Sequence, residues 1–130
     1  MPKLIHSMIR VLDLNRAAEF YRSGFGLEET HRMEFPTFTL LYLREPESGF
    51  EIELTWNKGQ AEPYTHGSAY GHMAFCVEDL EAHHARLKGL GYTVGDLKEL
   101  AAPSGGARFF FVTDPDGYKI EVLQRAGHYV

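Results

Sequence analysis

An α+β fold built from two tandem copies of one β-α-β-β-like unit is what this 130-residue sequence predicts. Three observations predict it. His6 is followed by Val11, Asp13 and Leu14 at +5, +7 and +8, and His72 by Val77, Asp79 and Leu80 at the same spacings. Near the end of each half an aromatic and a charged residue precede Ile-Glu-aliphatic, in Phe50-Glu51-Ile52-Glu53-Leu54 and Tyr118-Lys119-Ile120-Glu121-Val122. Within each half, strand-like alternation flanks a single helical stripe. A unit duplicated and diverged explains this more simply than chance. Units of about 65 residues bury too little surface to stand alone. Residues 1–66 and 67–130 are therefore expected to act together as one structural domain.

The elements follow in order. Residues 4–11 alternate as a strand, with Leu4, His6, Met8 and Arg10 on one face and Ile5, Ser7, Ile9 and Val11 on the other. Asp13 offers an N-cap to a helix carrying Ala17, Ala18, Phe20 and Tyr21, and Gly24 and Gly26 are expected to end it. Strands are expected at 38–44 and 50–56, with Glu45-Pro46-Glu47-Ser48-Gly49 turning between them. Residues 57–70 read as loop. A strand at 71–77, an N-cap at Asp79 and a helix with Leu80, His84 and Leu87, ending in Gly89 to Gly91, restart the pattern. A mixed segment, 92–106, closes in Pro103-Ser104-Gly105-Gly106, and strands at 107–113 and 118–124 complete the unit. The last two are joined by Asp114-Pro115-Asp116-Gly117, whose residue types each favour a tight turn. That turn delivers Glu121 on the strand face opposite Ile120 and Val122.

Bulk properties exclude several functions. A formal charge of −5 with no basic cluster argues against nucleic acid as a partner. The single cysteine, Cys76, excludes an intramolecular disulfide framework and suits a reducing compartment. The amino terminus lacks a long apolar segment, and no run approaches the ~20 apolar residues of a membrane span. A cytoplasmic protein without a membrane partner is the expectation.

The repeat puts a His in the first strand and a Glu in the last strand of each unit: His6, Glu53, His72 and Glu121. A Glu among apolar neighbours is costly unless its charge has a partner. Two imidazoles and two carboxylates form a mixed nitrogen and oxygen set suited to a divalent first-row metal. Taken singly, each His reads equally as a hydrogen-bonded residue and each strand Glu as a solvated one. Their joint equivalence favours the metal. His31, His66, His83, His84 and His128 have no such equivalents, and His83-His84 on one helix face different ways. Cys76 shares a strand face with His72, as a candidate cavity wall rather than a nucleophile. No Gly-x-Ser-x-Gly or phosphate-loop motif occurs.

Five segments together resemble glyoxalase I, the lactoylglutathione lyase family of the vicinal-oxygen-chelate superfamily. They are His6-Ser-Met-Ile-Arg10-Val, Phe20-Tyr21 before Gly26-Leu27, Ile52-Glu53-Leu54-Thr-Trp-Asn57, Ala69-Tyr70-Gly71-His72 and Asp114-Pro-Asp-Gly-Tyr-Lys-Ile-Glu121. The resemblance runs nearly end to end. It implies paired βαβββ modules with a curved mixed sheet around a metal site. It also implies a homodimer with sites at the subunit interface, His6 and Glu53 coming from one chain and His72 and Glu121 from the other. The implied reaction isomerises the hemithioacetal of methylglyoxal and glutathione to S-lactoylglutathione, with the metal stabilising an enediolate as a Lewis acid. By resemblance Glu121 is the base and Glu53 assists from the opposite side, while Arg10 and Asn57 hold the glutathione moiety. Arg10 lies on the His6 face of its strand, and a guanidinium there can grip a carboxylate bidentately. The short chain resembles the nickel- or cobalt-activated bacterial group, with zinc as the alternative metal.

One departure stands out. Many bacterial relatives carry a glutathione-binding Lys in the loop that reads Ala102-Pro103-Ser104-Gly105-Gly106-Ala107-Arg108 here, leaving Lys98 or Arg108 as substitutes. Other readings within the superfamily are an extradiol dioxygenase, for which Glu53 is superfluous, and an epimerase of a coenzyme A thioester. A ligand-sequestering protein of the same fold is the non-enzymatic reading.

Overall fold

Both helices begin where an Asp can satisfy the free amides of a first turn. In a computed structural model, which describes residues 1–130, α1 (Leu14–Phe25) and α2 (Leu80–Gly89) start behind Asp13 and Asp79. Each carboxylate accepts the third helical amide at 3.0 Å, from Arg16 and from Ala82. Gly26 closes α1 in the left-handed region at φ 73°, which costs a glycine nothing. Gly24, expected to end the helix, is instead a buried position inside it.

Two compact units divide the chain, Met1–Thr65 and His66–Val130. In the first, the strands β1 (His6–Arg10), β2 (Glu28–Glu34), β3 (Phe38–Arg44) and β4 (Glu51–Asn57) form one sheet in the order β1-β4-β3-β2. β1 runs parallel to β4, and the other neighbours are antiparallel. In the second, β5 (Met73–Val77), β6 (Thr93–Val94), β7 (Lys98–Leu100), β8 (Ala107–Thr113) and β9 (Lys119–Gln124) repeat the pattern as β5-β9-β8-β6, with β7 also on β8. β5 is parallel to β9, as β1 is to β4. Each unit is thus βαβββ in outline, and its second strand is broken into β6 and β7 in the second unit. The class is α+β, as the repeat predicts.

The strands at 38–44 and 107–113 stand where alternation places them. β1 and β5 are shorter than expected, so that His72 sits just before β5 rather than inside it. β2 has no counterpart in the sequence reading. All seven of its residues are exposed, so no apolar face marks it, and only pairing with β3 makes it a strand.

Each sheet presents one face to its helix. Ile9, Leu41, Leu43, Ile52 and Leu54 meet α1, which contributes Phe20 and Tyr21, and all are at most 3% exposed. Phe110, Val112, Ile120 and Val122 do the same beside Leu80 and Leu87 of α2. Burying one such side chain stabilises by roughly 1.5–3 kcal/mol. Because side chains alternate, sealing these residues inside turns their neighbours His6, Tyr42, Glu53, Phe111 and Glu121 to the opposite face.

Candidate metal centre

Glu53 sits mid-strand in β4, where register sets it between Met8 of β1 and Tyr42 of β3. His6, on the same face of β1 as Met8, brings its Nε2 to 3.2 Å from Glu53 Oε2. In the second unit Glu121 of β9 lies between Ala74 and Phe111, and His72 Nε2 reaches 3.4 Å from Glu121 Oε1. The two glutamate side chains are only 12% and 18% exposed. The structure therefore sets the four predicted donors in two His–Glu pairs, one within each unit. No group of three or more His, Cys, Asp or Glu side chains in the chain is arranged to hold an ion.

The spacing within each pair fits metal donors. Neighbouring ligands about 2.1 Å from a first-row ion and at right angles to it lie about 3 Å apart. Charge-assisted hydrogen bonds are shorter, about 2.7–2.9 Å. Imidazole nitrogen with carboxylate oxygen also suits such ions chemically. Glu51 shares the Glu53 face but is engaged elsewhere, by Arg44 at 3.2 Å and by the Thr30 hydroxyl.

Tight turns aim both glutamates. Asp114, buried to 3% exposure, accepts the amides of Asp116 and Tyr118 at 2.9 Å each, and Gly117 takes φ 88°. This starts β9 in the register that points Glu121 outward from the core. His66 stacks on Tyr118 at 4.1 Å between ring centroids, and Tyr70 meets that ring edge-on at 5.6 Å. The segment leading to His72 is thereby pinned to the turn leading to Glu121. In the first unit the Glu45 carboxylate accepts the amides of Glu47 and Ser48, and the turn sets the β3–β4 register.

Two residues that sequence reasoning missed surround Glu53. Tyr42 donates its hydroxyl to Glu53 Oε2 at 2.7 Å, and Thr55 Oγ1 lies 3.3 Å from Oε1. The hydrogen bond to Glu53, then burial and the charges of Glu53 and Glu51, push the Tyr42 phenol up to about 12. Counting outward from the turn centred between Glu47 and Ser48 pairs Tyr42 with Glu53, so the signal was present in the hairpin. Of the remaining predicted residues, Arg10 is exposed at the end of β1, and Asn57 ends β4 and donates to Tyr64 Oη at 3.1 Å. Arg108 is bound by Glu81 of α2, with Glu99 at 3.5 Å. It is therefore a poor substitute for the missing loop Lys, and Lys98 of β7 remains. Cys76 is a free, partly exposed thiol. A cavity of about 430 Å³ lies among β7, β8 and the carboxyl-terminal tail, bordered by Leu100, Arg108, Gln124 and Tyr129. It contains none of the four donors, and its guanidinium is the one already held by glutamates.

Residues 3–122 match the family model of the glyoxalase/bleomycin resistance protein/dioxygenase superfamily. The chain is 39% identical over 127 residues to the lactoylglutathione lyase of Haemophilus influenzae, covering 94% of this chain and 92% of that one. Its fold is similar to the trypanothione-dependent glyoxalase I of Leishmania major, with a TM-score of 0.80, 34% identity and coverage of 95% and 87%. Maize glyoxalase I is similar at a TM-score of 0.82 and 30% identity, over 96% of this chain but 45% of that longer one.

Proposed function

We infer the function from one premise, that this chain belongs to the glyoxalase/bleomycin resistance protein/dioxygenase superfamily. It is a lactoylglutathione lyase, an enzyme of methylglyoxal detoxification that converts the hemithioacetal of methylglyoxal and glutathione to S-lactoylglutathione. The observation that carries this reading to particular residues is the recurrence of a His–Glu pair at equivalent places in both units.

His6, Glu53, His72 and Glu121 hold one divalent ion per site, nickel or cobalt in preference to zinc. As the likeness to glyoxalase I implies, the complete set is assembled in a homodimer, His6 and Glu53 from one chain and His72 and Glu121 from its partner. When bound, the ion supplies Lewis-acid stabilisation of the negative charge that gathers on the substrate's two vicinal oxygens. Glu121 takes the proton from C1, leaving the C–H electron pair in an enediolate, and returns that proton to C2, while the hydroxyl proton of the C1 oxygen passes to the C2 oxygen. The product is an isomer of the substrate, so nothing else is consumed. Arg10 pairs with a carboxylate of the glutathione moiety and Asn57 hydrogen-bonds it, holding C1 against the base. Low exposure keeps water from the carboxylates and lets their charges act strongly. No helix is long and apolar enough to cross a membrane, and a lone free cysteine is in keeping with the cytoplasm.

The test is hemithioacetal isomerisation by chelator-stripped protein, titrated separately with nickel, cobalt and zinc. Activity is expected to return near one equivalent of metal per site, best with nickel or cobalt. Folded, metal-loaded protein that isomerises nothing would overturn the assignment.

A further inference from the structure

Glu53 and Glu121 occupy equivalent places in unlike company. Tyr42 stands opposite Glu53 in the register, and Phe111 stands opposite Glu121. Both rings meet the neighbouring imidazole edge-on, Tyr42 against His6 at 5.6 Å and Phe111 against His72 at 5.1 Å. They differ by one hydroxyl, and that hydroxyl is bonded to Glu53. Two residues beyond each glutamate the contrast repeats, with Thr55 Oγ1 near Glu53 and apolar Leu123 at the matching place. A carboxylate has about four acceptor sites. Each glutamate has an imidazole beside it and a metal to hold, but Glu53 also takes two hydroxyl donors, which leave it almost none, whereas Phe111 and Leu123 offer Glu121 no hydroxyl.

We propose that Tyr42, assisted by Thr55, ties Glu53 into a fixed ligand role and leaves Glu121 as the sole base, so that only one of the two hemithioacetal epimers reacts. This rests on the reaction assigned above. Addition of a thiol to an aldehyde makes C1 a stereocentre and, without an enzyme, yields both configurations. With the oxygens and the thiol arm held in one way, the two epimers direct their C1–H bonds to opposite faces. A second base is needed to serve the second face, and to act as one Glu53 must first release its hydroxyl partners. Tyr42 touches no reacting atom in this scheme and is a positioning residue. The two ring positions, otherwise alike, therefore decide which face is served.

The experiment uses full-length metal-loaded protein in molar excess over hemithioacetal, in rapid mixing. Wild type should consume about half the substrate in its fast phase, the remainder waiting for uncatalysed epimerisation. Tyr42→Phe should enlarge that fast phase. Glu121→Gln should nearly abolish turnover, and adding Tyr42→Phe should restore at least about tenfold, a gain that loss of a merely structural bond would not produce. Phe111→Tyr, placing a hydroxyl beside Glu121, should slow turnover. Calorimetric metal titration of stripped protein gives a readout free of turnover: Tyr42→Phe should weaken binding about tenfold, as loss of a partner that orients a ligand does. Complete consumption by wild type in one fast phase, or no rescue in the metal-loaded double variant, would overturn the proposal. If wild type isomerises nothing, the assigned reaction fails and the single-epimer claim with it. The calorimetric arm still tests whether Tyr42 holds Glu53, and an unchanged affinity would overturn that too.

Discussion

The two units are copies of one design that have drifted apart in two places, the company around the glutamate and the seating of the helix. In the first unit Glu53 is ringed by hydroxyls, and α1 buries six residues, Leu14, Ala17, Ala18, Phe20, Tyr21 and Gly24. In the second Glu121 faces Phe111, and α2 buries only Leu80 and Leu87. What both retain is the His–Glu pair and the parallel contact between first and last strands that frames it. A duplicated scaffold can thus keep one His–Glu pair in each copy while changing what surrounds it. The difference teaches that equivalent positions are not equivalent roles.

The largest expected effect separates the glutamates. Glu121→Gln should lower turnover by about 10²–10⁴-fold with the fold intact. Glu53→Gln should act first on metal affinity, about tenfold or more, with a smaller loss of turnover at saturating metal. Equal losses of turnover in metal-saturated enzyme would erase the contrast. The helices come next, in denaturant unfolding of metal-free protein. Phe20→Ala should cost about 3–5 kcal/mol and Leu87→Ala toward the low end of about 2–5 kcal/mol. A greater loss at Leu87 would contradict the looser seating of α2.

Where the units are alike, the effects should match. Asp13→Ala and Asp79→Ala should each cost about 1 kcal/mol, since both carboxylates take the same amide at the same distance. A thermal melt that distinguishes the two would point to a capping role beyond that bond. The last effect is confined to alkaline pH. The Tyr42 phenol, raised from 10 to about 12, binds its proton more tightly in the folded protein. Its contribution to stability is complete below pH 10 and is lost as pH rises toward 12. Ultraviolet titration of stripped protein should show a late-ionising phenol that Tyr42→Phe removes. No partner exists for it in the second unit, where the ring is Phe111.

Much of this was legible because local chemistry and tertiary fate agree. Asp13 and Asp79 cap helices wherever those helices pack, and Asp114-Pro-Asp-Gly makes its turn through its own side chain and backbone. Alternation placed His6 and Glu53 on the face turned from the core because a half-buried strand has no other way to sort its side chains. β2 escaped notice for the converse reason. Its residues meet water on every side, and its hydrogen bonds to β3 leave no trace in hydropathy. The split of the corresponding strand into β6 and β7 was hidden likewise, in two short pieces held by β8.

By itself the sequence determined the repeat, the α+β class, the capped helices and the equivalence of the two His–Glu pairs, since each rests on residue type and short-range periodicity. Tertiary structure fixed which side chains meet across strands, although the β3–β4 hairpin already carried the Tyr42–Glu53 pairing. It put a hydroxyl on Glu53 and a bare ring on Glu121, took Glu51 and Arg108 into ion pairs, and seated α1 more deeply than α2. Those outcomes depend on hairpin register and on packing between elements, where a single ångström decides whether a hydrogen bond exists.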